Sequence, residues 1–337
     1  MMGKPVVPGL FIFMPKTFKA ITHSSVFHAD DVMACAVLDF VVQHDLEVVR
    51  TRNLTDELLA SANFVVDVGG KYDQVKYFDH HQPEGAGKRD SGGSYAAFGL
   101  IWKHFGMDYL RELRQRHPKL EALPRAELLK CHKHIDETFV AMFDAHDTGE
   151  LVGGVCRNPA NNSQVFDSYN LPQLVALFNP TPMIHEFTEE QQDKMFAAIL
   201  PVAQSILSRV ILKFFSRGLG VLQLDRLDDG QQPILVLEEF CEWQGDVVKR
   251  PHIIYVLSPN PSNGHWSVFA AKSALGFGLD NLRKPFPAHW AGLTDGELAA
   301  ASGVIDAVFC HRNLFIASAR SYEGAKQLAQ KALDYKP

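Results

Sequence analysis

Thr22-His23-Ser24-Ser25-Val26-Phe27-His28-Ala29-Asp30-Asp31 follows directly on the short apolar run Phe18-Lys-Ala-Ile-Thr22 and leads into a nearly all-apolar stretch over 30–43. A β-type run, a polar loop and a helix-length apolar segment read as strand, loop and buried helix. Two imidazoles and two carboxylates within nine residues thus stand between a strand end and a helix N-terminus. Imidazole nitrogen and carboxylate oxygen together suit borderline-hard divalent ions such as manganese. The competing reading of Asp30 or Asp31 is simple helix capping.

Outward from this stretch the pattern repeats. Residues 46–51 form a second strand, 55–62 a short helix, and 64–68 a third strand closed by Gly69-Gly70; Tyr77-Phe78 leads into Asp79-His80-His81, and 94–105 and 125–147 have helical character. Such alternation implies a mainly parallel sheet with helices on both faces. Ligands of such sheets gather at the carboxyl ends of the strands, where the polar clusters of this chain also fall. Asp67, within Phe64-Val-Val-Asp67-Val-Gly-Gly, is a carboxylate in a buried apolar strand, costly unless paired or metal-bound, and a ligand shared by two cations is its natural role. In Asp79-His80-His81, adjacent side chains of an extended segment point to opposite sides. One histidine can bind metal while the other faces a phosphate, with Asp79 orienting a ring. The last cluster is Phe143-Asp144-Ala-His-Asp147 at a helix end. On an uninterrupted helix Asp147 lies about 90° from the apolar stripe and Asp144 about 150°, so Asp147 is the preferred candidate and Asp144 the alternative. Two cations bridged by oxygen need five to seven such ligands.

The remaining features bound the function. The chain of 337 residues has 46% apolar and 21% charged residues and a formal net charge of −6. An acidic chain argues against broad nonspecific duplex binding, which relies on neutralising phosphates. Five cysteines without a C-x-x-C pair argue against a disulfide framework or zinc knuckle and point to a reducing compartment, read as cytoplasm, with nucleus or mitochondrion as alternatives in a eukaryote. No uninterrupted apolar run approaches 18 residues, so no membrane span is expected; the pattern specifies no oligomeric state. A stretch rich in Pro, Asn and Ser separates the halves, giving a first domain over 1–157, a linker over 158–187 and a second domain over 188–337. The second half is expected to open with a helix over 188–217, continue with strands near 220–224, 234–237, 253–257 and 266–271, and close with a helix over 322–333.

The motif order, His-x4-His-x-Asp, then Asp67, then Asp-His-His, then Asp147, resembles the DHH phosphoesterase superfamily, which includes RecJ-type nucleases, small-RNA exonucleases and manganese pyrophosphatases. More closely it resembles the melanocyte-proliferating-gene family of metal-dependent hydrolases. That likeness runs through 22–31, 65–73, 78–82, Trp102-Lys-His-Phe-Gly106, 143–149, 290–298 and 315–325. It implies an N-terminal DHH-type domain and a smaller C-terminal α/β substrate-binding domain. It implies two divalent ions, manganese preferred and magnesium the alternative: His23, His28, Asp67 and Asp147 at one, Asp30, Asp67 and His80 at the other, with His81 facing the phosphate. It further implies 3′-to-5′ exonuclease action on RNA or short oligonucleotides, a single strand being the partner. The sequence departs from that pattern at Val26, at Asp31, at Cys241-Glu242-Trp243, and at Ala317-Ser318, which replace a glycine pair. Arg283, Lys284, His311 and Arg320 are the candidate substrate-phosphate contacts of the second domain. The alternative functions are a small-molecule phosphatase acting on pyrophosphate or a cyclic dinucleotide, and a non-catalytic metal-binding scaffold.

Overall fold

In the computed structural model the described residues are 17–150, 155–157, 164–167, 169–274 and 281–336. The chain divides into two compact units, residues 1–212 and 213–337.

The first unit is built on a four-stranded parallel sheet of order β2-β1-β3-β4, made of β1 (Phe18–Thr22), β2 (Leu46–Arg50), β3 (Phe64–Val66) and β4 (Tyr77–Phe78). The expected parallel sheet is thus present, with β1 paired on both sides. Helix α1 (Ala29–Val41) is buried along nearly its whole length, which is why its sequence lacks an amphipathic rhythm: a helix covered on every side carries apolar residues on every side. It packs on α3 (Ala97–Gln115), where Phe40 and Tyr109 stack with centroids 4.1 Å apart; the short α2 (Asp56–Ser61) precedes β3. Helix α4 (Arg125–Ile135) passes through a π-helical turn, Asp136–Val140, into α5 (Ala141–Asp147). Trp102 and Gly106 of α3 meet His132 of α4: Trp102 Nε1 donates to His132 O at 3.1 Å, and the His132 ring stacks on the indole. Strands β5 (Val155–Arg157) and β6 (Gln164–Asp167) form a separate antiparallel pair.

The stretch expected as a linker carries structure. Part of it, 158–163 and 168, lies outside the described residues. Beyond it stand α6 (Leu171–Ala176), with an Asn170–Gln173 capping box, and Asn179, whose amide donates to Phe27 O at 2.8 Å and accepts from Phe27 N at 3.0 Å. Helix α7 (Glu189–Leu227) then lays the buried stripe Phe196, Ile199, Ala203, Leu207 and Ile211 on the first unit. Phe196 meets Phe27 edge-on, Gln204 donates to Asp39 at 2.7 Å, and Ser208 bonds Tyr109 at 2.8 Å. The division therefore falls at 212/213, inside a helix, not at 187/188.

By length and composition α7 could cross a membrane: its most apolar 18-residue window has mean hydropathy 1.8 and is 28% buried. Scattered polar residues hide that average from a search for unbroken runs. Its buried stripe and its bonded Gln204 are those of a helix packed on protein.

The second unit holds a five-stranded sheet of order β10-β11-β9-β8-β7. Its strands are β7 (Ile234–Val236), β8 (Tyr255–Pro259), β9 (Trp266–Ala270), β10 (Ala307–Cys310) and β11 (Ile316–Ala319). Only β7 and β8 pair in parallel. The short α8 (Gln244–Val247) follows β7; α9 (Asp295–Ser302) and α10 (Tyr322–Asp334) complete the unit, with Leu328, Ala329 and Ala332 of α10 in its core. The strand expected over 220–224 is helical, because α7 continues to Leu227. A Cβ at Gly220 would stand 2.6 Å from the Glu242 carbonyl oxygen, so a close backbone approach selects glycine within the helix.

Candidate metal centre

The carboxyl ends of β1, β3 and β4 lie side by side in the sheet, and each delivers donors. Beyond β1, His23 Nδ1 lies 3.0 Å from Ser24 O, leaving Nε2 to point at Asp31 Oδ2 (3.1 Å) and Asp67 Oδ2 (3.4 Å). Beyond β3, Asp67 adopts a left-handed backbone with φ 57°, a conformation rare outside glycine and least costly for Asp and Asn. Its buried carboxylate also lies 3.4 Å from His80 Nδ1 and 3.6 Å from His81 Nδ1. Beyond β4, Asp79 acts as the local organiser. Its Oδ1 accepts from the His80 and His81 amides and lies 2.7 Å from His81 Nδ1, while its Oδ2 accepts from Gly70 N.

Two helices and the loop before α1 add the rest. Asp30, in the first turn of α1, accepts from Ala97 N at 3.3 Å. Asp147, at the end of α5, meets His28 Nδ1 at 3.2 Å and His80 Nε2 at 2.9 Å. The expected centre residues other than Asp144, namely His23, His28, Asp30, Asp67, Asp79, His80, His81 and Asp147, therefore converge from separate segments of chain. Among the described residues three groups have donor atoms within 4.8 Å of one another: Asp67, Asp79, His80 and His81; His23, His28 and Asp67; and His28, Asp30 and Asp147. Asp67 belongs to two of them. The grouping differs from the one the resemblance implies in that Asp30 falls with His28 and Asp147 instead of with Asp67 and His80.

Asp144, the alternative to Asp147, is elsewhere. It is fully buried, ion-paired with Arg89 at 2.7 Å, and accepts from Gly99 N at 2.9 Å. Arg89 also clamps Asp136 with two 2.9 Å bonds. Helical phase assigns Asp144 to the outer face only on an unbroken α-helix; the π turn inserts extra chain and rotates everything after it. Asp144 thus anchors α5 so that Asp147, three residues on, meets the histidines.

The electrostatics match a cation site. Burial alone would lower the His23 pKa, but its contacts with Asp31 and Asp67 outweigh that and push it to about 10. Burial, together with Asp67 and Asp147, raises Asp30 well above the carboxylate range. Burial would raise Asp147 too, yet hydrogen bonding to His28 and His80 holds it far below. Asp79 holds the His81 ring above its ordinary value. His23 Nε2, His80 Nδ1, one oxygen of Asp30 and both oxygens of Asp31 and Asp67 are buried without a hydrogen-bond partner. Buried polar atoms are rarely left unpaired, and these converge on one place. A divalent ion would satisfy those of His23, His80, Asp30 and Asp67, which belong to the three donor groups, so the donor set fits one.

Above the donors opens a cleft of about 280 Å³ lined by His23, His28, Arg52, Asp67, Val68, Gly69, Gly70, Asp79 and His81. Arg52 was missed from the sequence, although its place directly after the strand expected over 46–51 offered the signal used for the acidic clusters.

The second-unit candidates fare differently. Arg283 directs its guanidinium to four backbone carbonyls, of Val247, Val248, Arg250 and Ile253, at 2.6–3.1 Å. Lys284 donates to the carbonyls of Leu333 and Tyr335. Both therefore tie the unit together, correcting their assignment to substrate phosphate. Arg320 pairs with Asp295 at 2.8 Å on the surface, and His311 packs on Phe315 with Nδ1 3.1 Å from the Asn313 amide.

Comparison with known proteins adds an independent finding. A family model, MYG1_exonuc, described as "Uncharacterised protein family (UPF0160)", matches residues 19–333. The MYG1 protein of Schizosaccharomyces pombe is 30% identical over 345 residues, covering 96% of this chain and 99% of that one. A protein named MYG1 exonuclease from Homo sapiens is 27% identical, covering 93% and 85%; the MYG1 protein of Chlamydia muridarum is 28% identical, covering 91% and 93%. Among solved structures, exonuclease RecJ bound to manganese aligns over 94% of this chain and 91% of its own at 15% identity, with a TM-score of 0.26, too low to carry weight by itself.

Proposed function

The chain belongs to the MYG1_exonuc family, and from that premise we propose that it is a two-metal phosphoesterase that removes nucleotides from the 3′ end of RNA or short oligonucleotides. The observation that carries the proposal is Asp67: one buried carboxylate, shared between two donor groups, with histidines around it but neither oxygen hydrogen-bonded. The exonuclease name of the human relative supports the class of substrate. The 3′-to-5′ direction and the preference for manganese over magnesium follow the family resemblance.

When bound, the ions would supply Lewis acidity, lowering the pKa of an attacking water and offsetting charge on the phosphorane. His23, His28, Asp30, Asp67, His80 and Asp147 would hold them. The chain's own catalytic work falls to His81 and Asp79. Asp79 fixes His81 through Nδ1 and favours the imidazolium, so the other ring nitrogen can donate a hydrogen bond to a phosphoryl oxygen. Hydrolysis forms a P–O bond from water to the phosphorus of the terminal nucleotide, breaks the P–O bond to the 3′ oxygen of the shortened strand, and returns a proton to that oxygen.

The test combines metal analysis with an assay panel of labelled short RNA, pyrophosphate and a chromogenic diester. Protein prepared in manganese should carry more than one equivalent of metal, shorten RNA stepwise and lose activity in chelator. Asp67→Asn should lower kcat by more than about 100-fold, and by more than His81→Ala, because outer contacts typically matter about 10–100-fold. Pyrophosphate cleavage without RNA cleavage would transfer the site to small-molecule chemistry. Inactivity on all three substrates with metal bound would leave a scaffold.

A further inference from the structure

We infer that Arg52 is a phosphate-binding residue of the metal cleft, its guanidinium gripping the non-bridging oxygens of a phosphoryl group on the wall beside His23. This rests on the phosphoesterase reading above and names the residue that recognises its anionic substrate.

The position follows from the sheet. Strands β1 and β2 pair in parallel with Thr22 opposite Arg50, and the Thr51 amide extends the ladder by donating to Thr22 O at 2.8 Å. Arg52 therefore leaves the carboxyl end of β2 beside His23, and it lines the same cleft as His28, Asp67, Asp79 and His81.

The bland reading is a solvated surface arginine. Three observations weigh against it. First, Arg52 and Arg50 differ sharply although they are two residues apart. The Arg50 guanidinium is engaged: it pairs with Asp193 at 2.8 Å, donates to Ser25 O, and lies over the Phe27 and Phe196 rings. Arg52 is exposed and, among the described residues, pairs with no carboxylate, although Asp67 and Asp79 line the same cleft. Second, the approach of its Nη2 to His23 Nδ1, at 3.4 Å, is not a lasting partnership. With His23 Nε2 turned to a metal, Nδ1 carries the proton and donates to Ser24 O. The guanidinium then has no acceptor there, and its donors are free for a ligand. Third, Arg52 is the sole arginine or lysine among the residues that line the cleft. A planar fork of donors matches two phosphate oxygens.

The experiment measures inorganic phosphate binding to the manganese-loaded full-length protein by calorimetry, for the wild type, Arg52→Gln and Arg52→Lys, with manganese binding titrated separately. Arg52→Gln should weaken phosphate binding by about 10–100-fold, the range of a lost charge-assisted contact. Arg52→Lys should fall between, because an ammonium cannot bond bidentately. Manganese affinity should stay within about twofold. On a chromogenic diester, KM should rise more than kcat falls. Unchanged phosphate affinity in Arg52→Gln overturns the inference. So does a loss of manganese affinity in that variant, which would make Arg52 a support for His23. A wild type that binds phosphate through Arg52 but cleaves no phosphate ester retains this site and overturns the phosphoesterase reading instead.

Discussion

His23 sets the pH behaviour of the centre. Its pKa of about 10 in the metal-free protein, against an ordinary value near 6.5, means that it carries a proton at neutral pH. A metal ligand must be the neutral ring, so manganese has to displace that proton. Asp30, raised by burial and by Asp67 and Asp147, adds to the same exchange. Calorimetric titration of manganese near pH 7.5 in buffers of differing ionisation enthalpy should therefore show release of at least one proton per chain; a buffer-independent heat would contradict the arrangement. The linked stability has a definite sign. A raised folded-state pKa stabilises fully below the unfolded value and is lost as pH climbs through the folded one. The Tm of the metal-free protein should thus decline between about pH 6.5 and 10, while manganese affinity rises over the same window. His23, His28, Asp30, Asp67, Asp79, His80 and His81 were legible as candidates in the sequence, because polar residues clustered at the ends of apolar strands cost free energy unless a ligand compensates them. Asp31 and Arg52 stood in equal view. Their meaning depends on which way a side chain turns, and a loop sequence does not encode that plainly.

At the scale of elements, the joint between α3 and α5 is the most sensitive. Gly99 lets α3 approach so closely that a Cβ there would stand 1.9 Å from Asp144 Oδ2 and 2.6 Å from Arg89 Nη2. Gly99→Ala would gain up to about 1 kcal/mol of helix propensity. The clash should outweigh that gain and leave a net loss of about 1–3 kcal/mol, seen as a lower Tm. Manganese affinity should fall with it, since α5 carries Asp147. An unchanged Tm would mean that Asp144 turns aside freely. The same joint explains one limit of the sequence reading. Periodicity places residues on a face only while the repeat is constant, and the π turn at Asp136–Val140 resets it between the apolar stripe and Asp144. Gly220 shows a related limit: what selects a glycine depends on its neighbour after folding, here the Glu242 carbonyl. Arg283 and Lys284 look like phosphate contacts because a pair of cations in a loop-like stretch carries no mark of the carbonyls it will meet after folding.

For the whole molecule, the alternation of β and α segments foretells the parallel sheet of the first unit, since each short apolar run is bounded by its own turn signals. The extent of that unit was not legible. Composition marks a linker around 158–187, whereas long-range packing carries the first unit on to Leu212. A fragment ending at residue 187 should consequently fail to fold. It lacks Phe196, Ile199, Leu207 and Ile211, all buried and each contributing about 1.5–3 kcal/mol, against a typical total stability of about 5–15 kcal/mol. A fragment ending at 227 keeps the stripe and should retain helical circular dichroism and a cooperative melt; equal behaviour of the two fragments would refute the boundary. The spread of the donors from His23 to Asp147, with the α7 stripe later still, also sets a timetable for the chain at its birth. At about 5–20 residues per second, Ile211 is synthesised roughly 3–13 s after Asp147. Throughout that interval the nascent chain presents every donor without the helix that completes its unit, so whichever cation is abundant around the ribosome competes for the donors before packing can discriminate among ions.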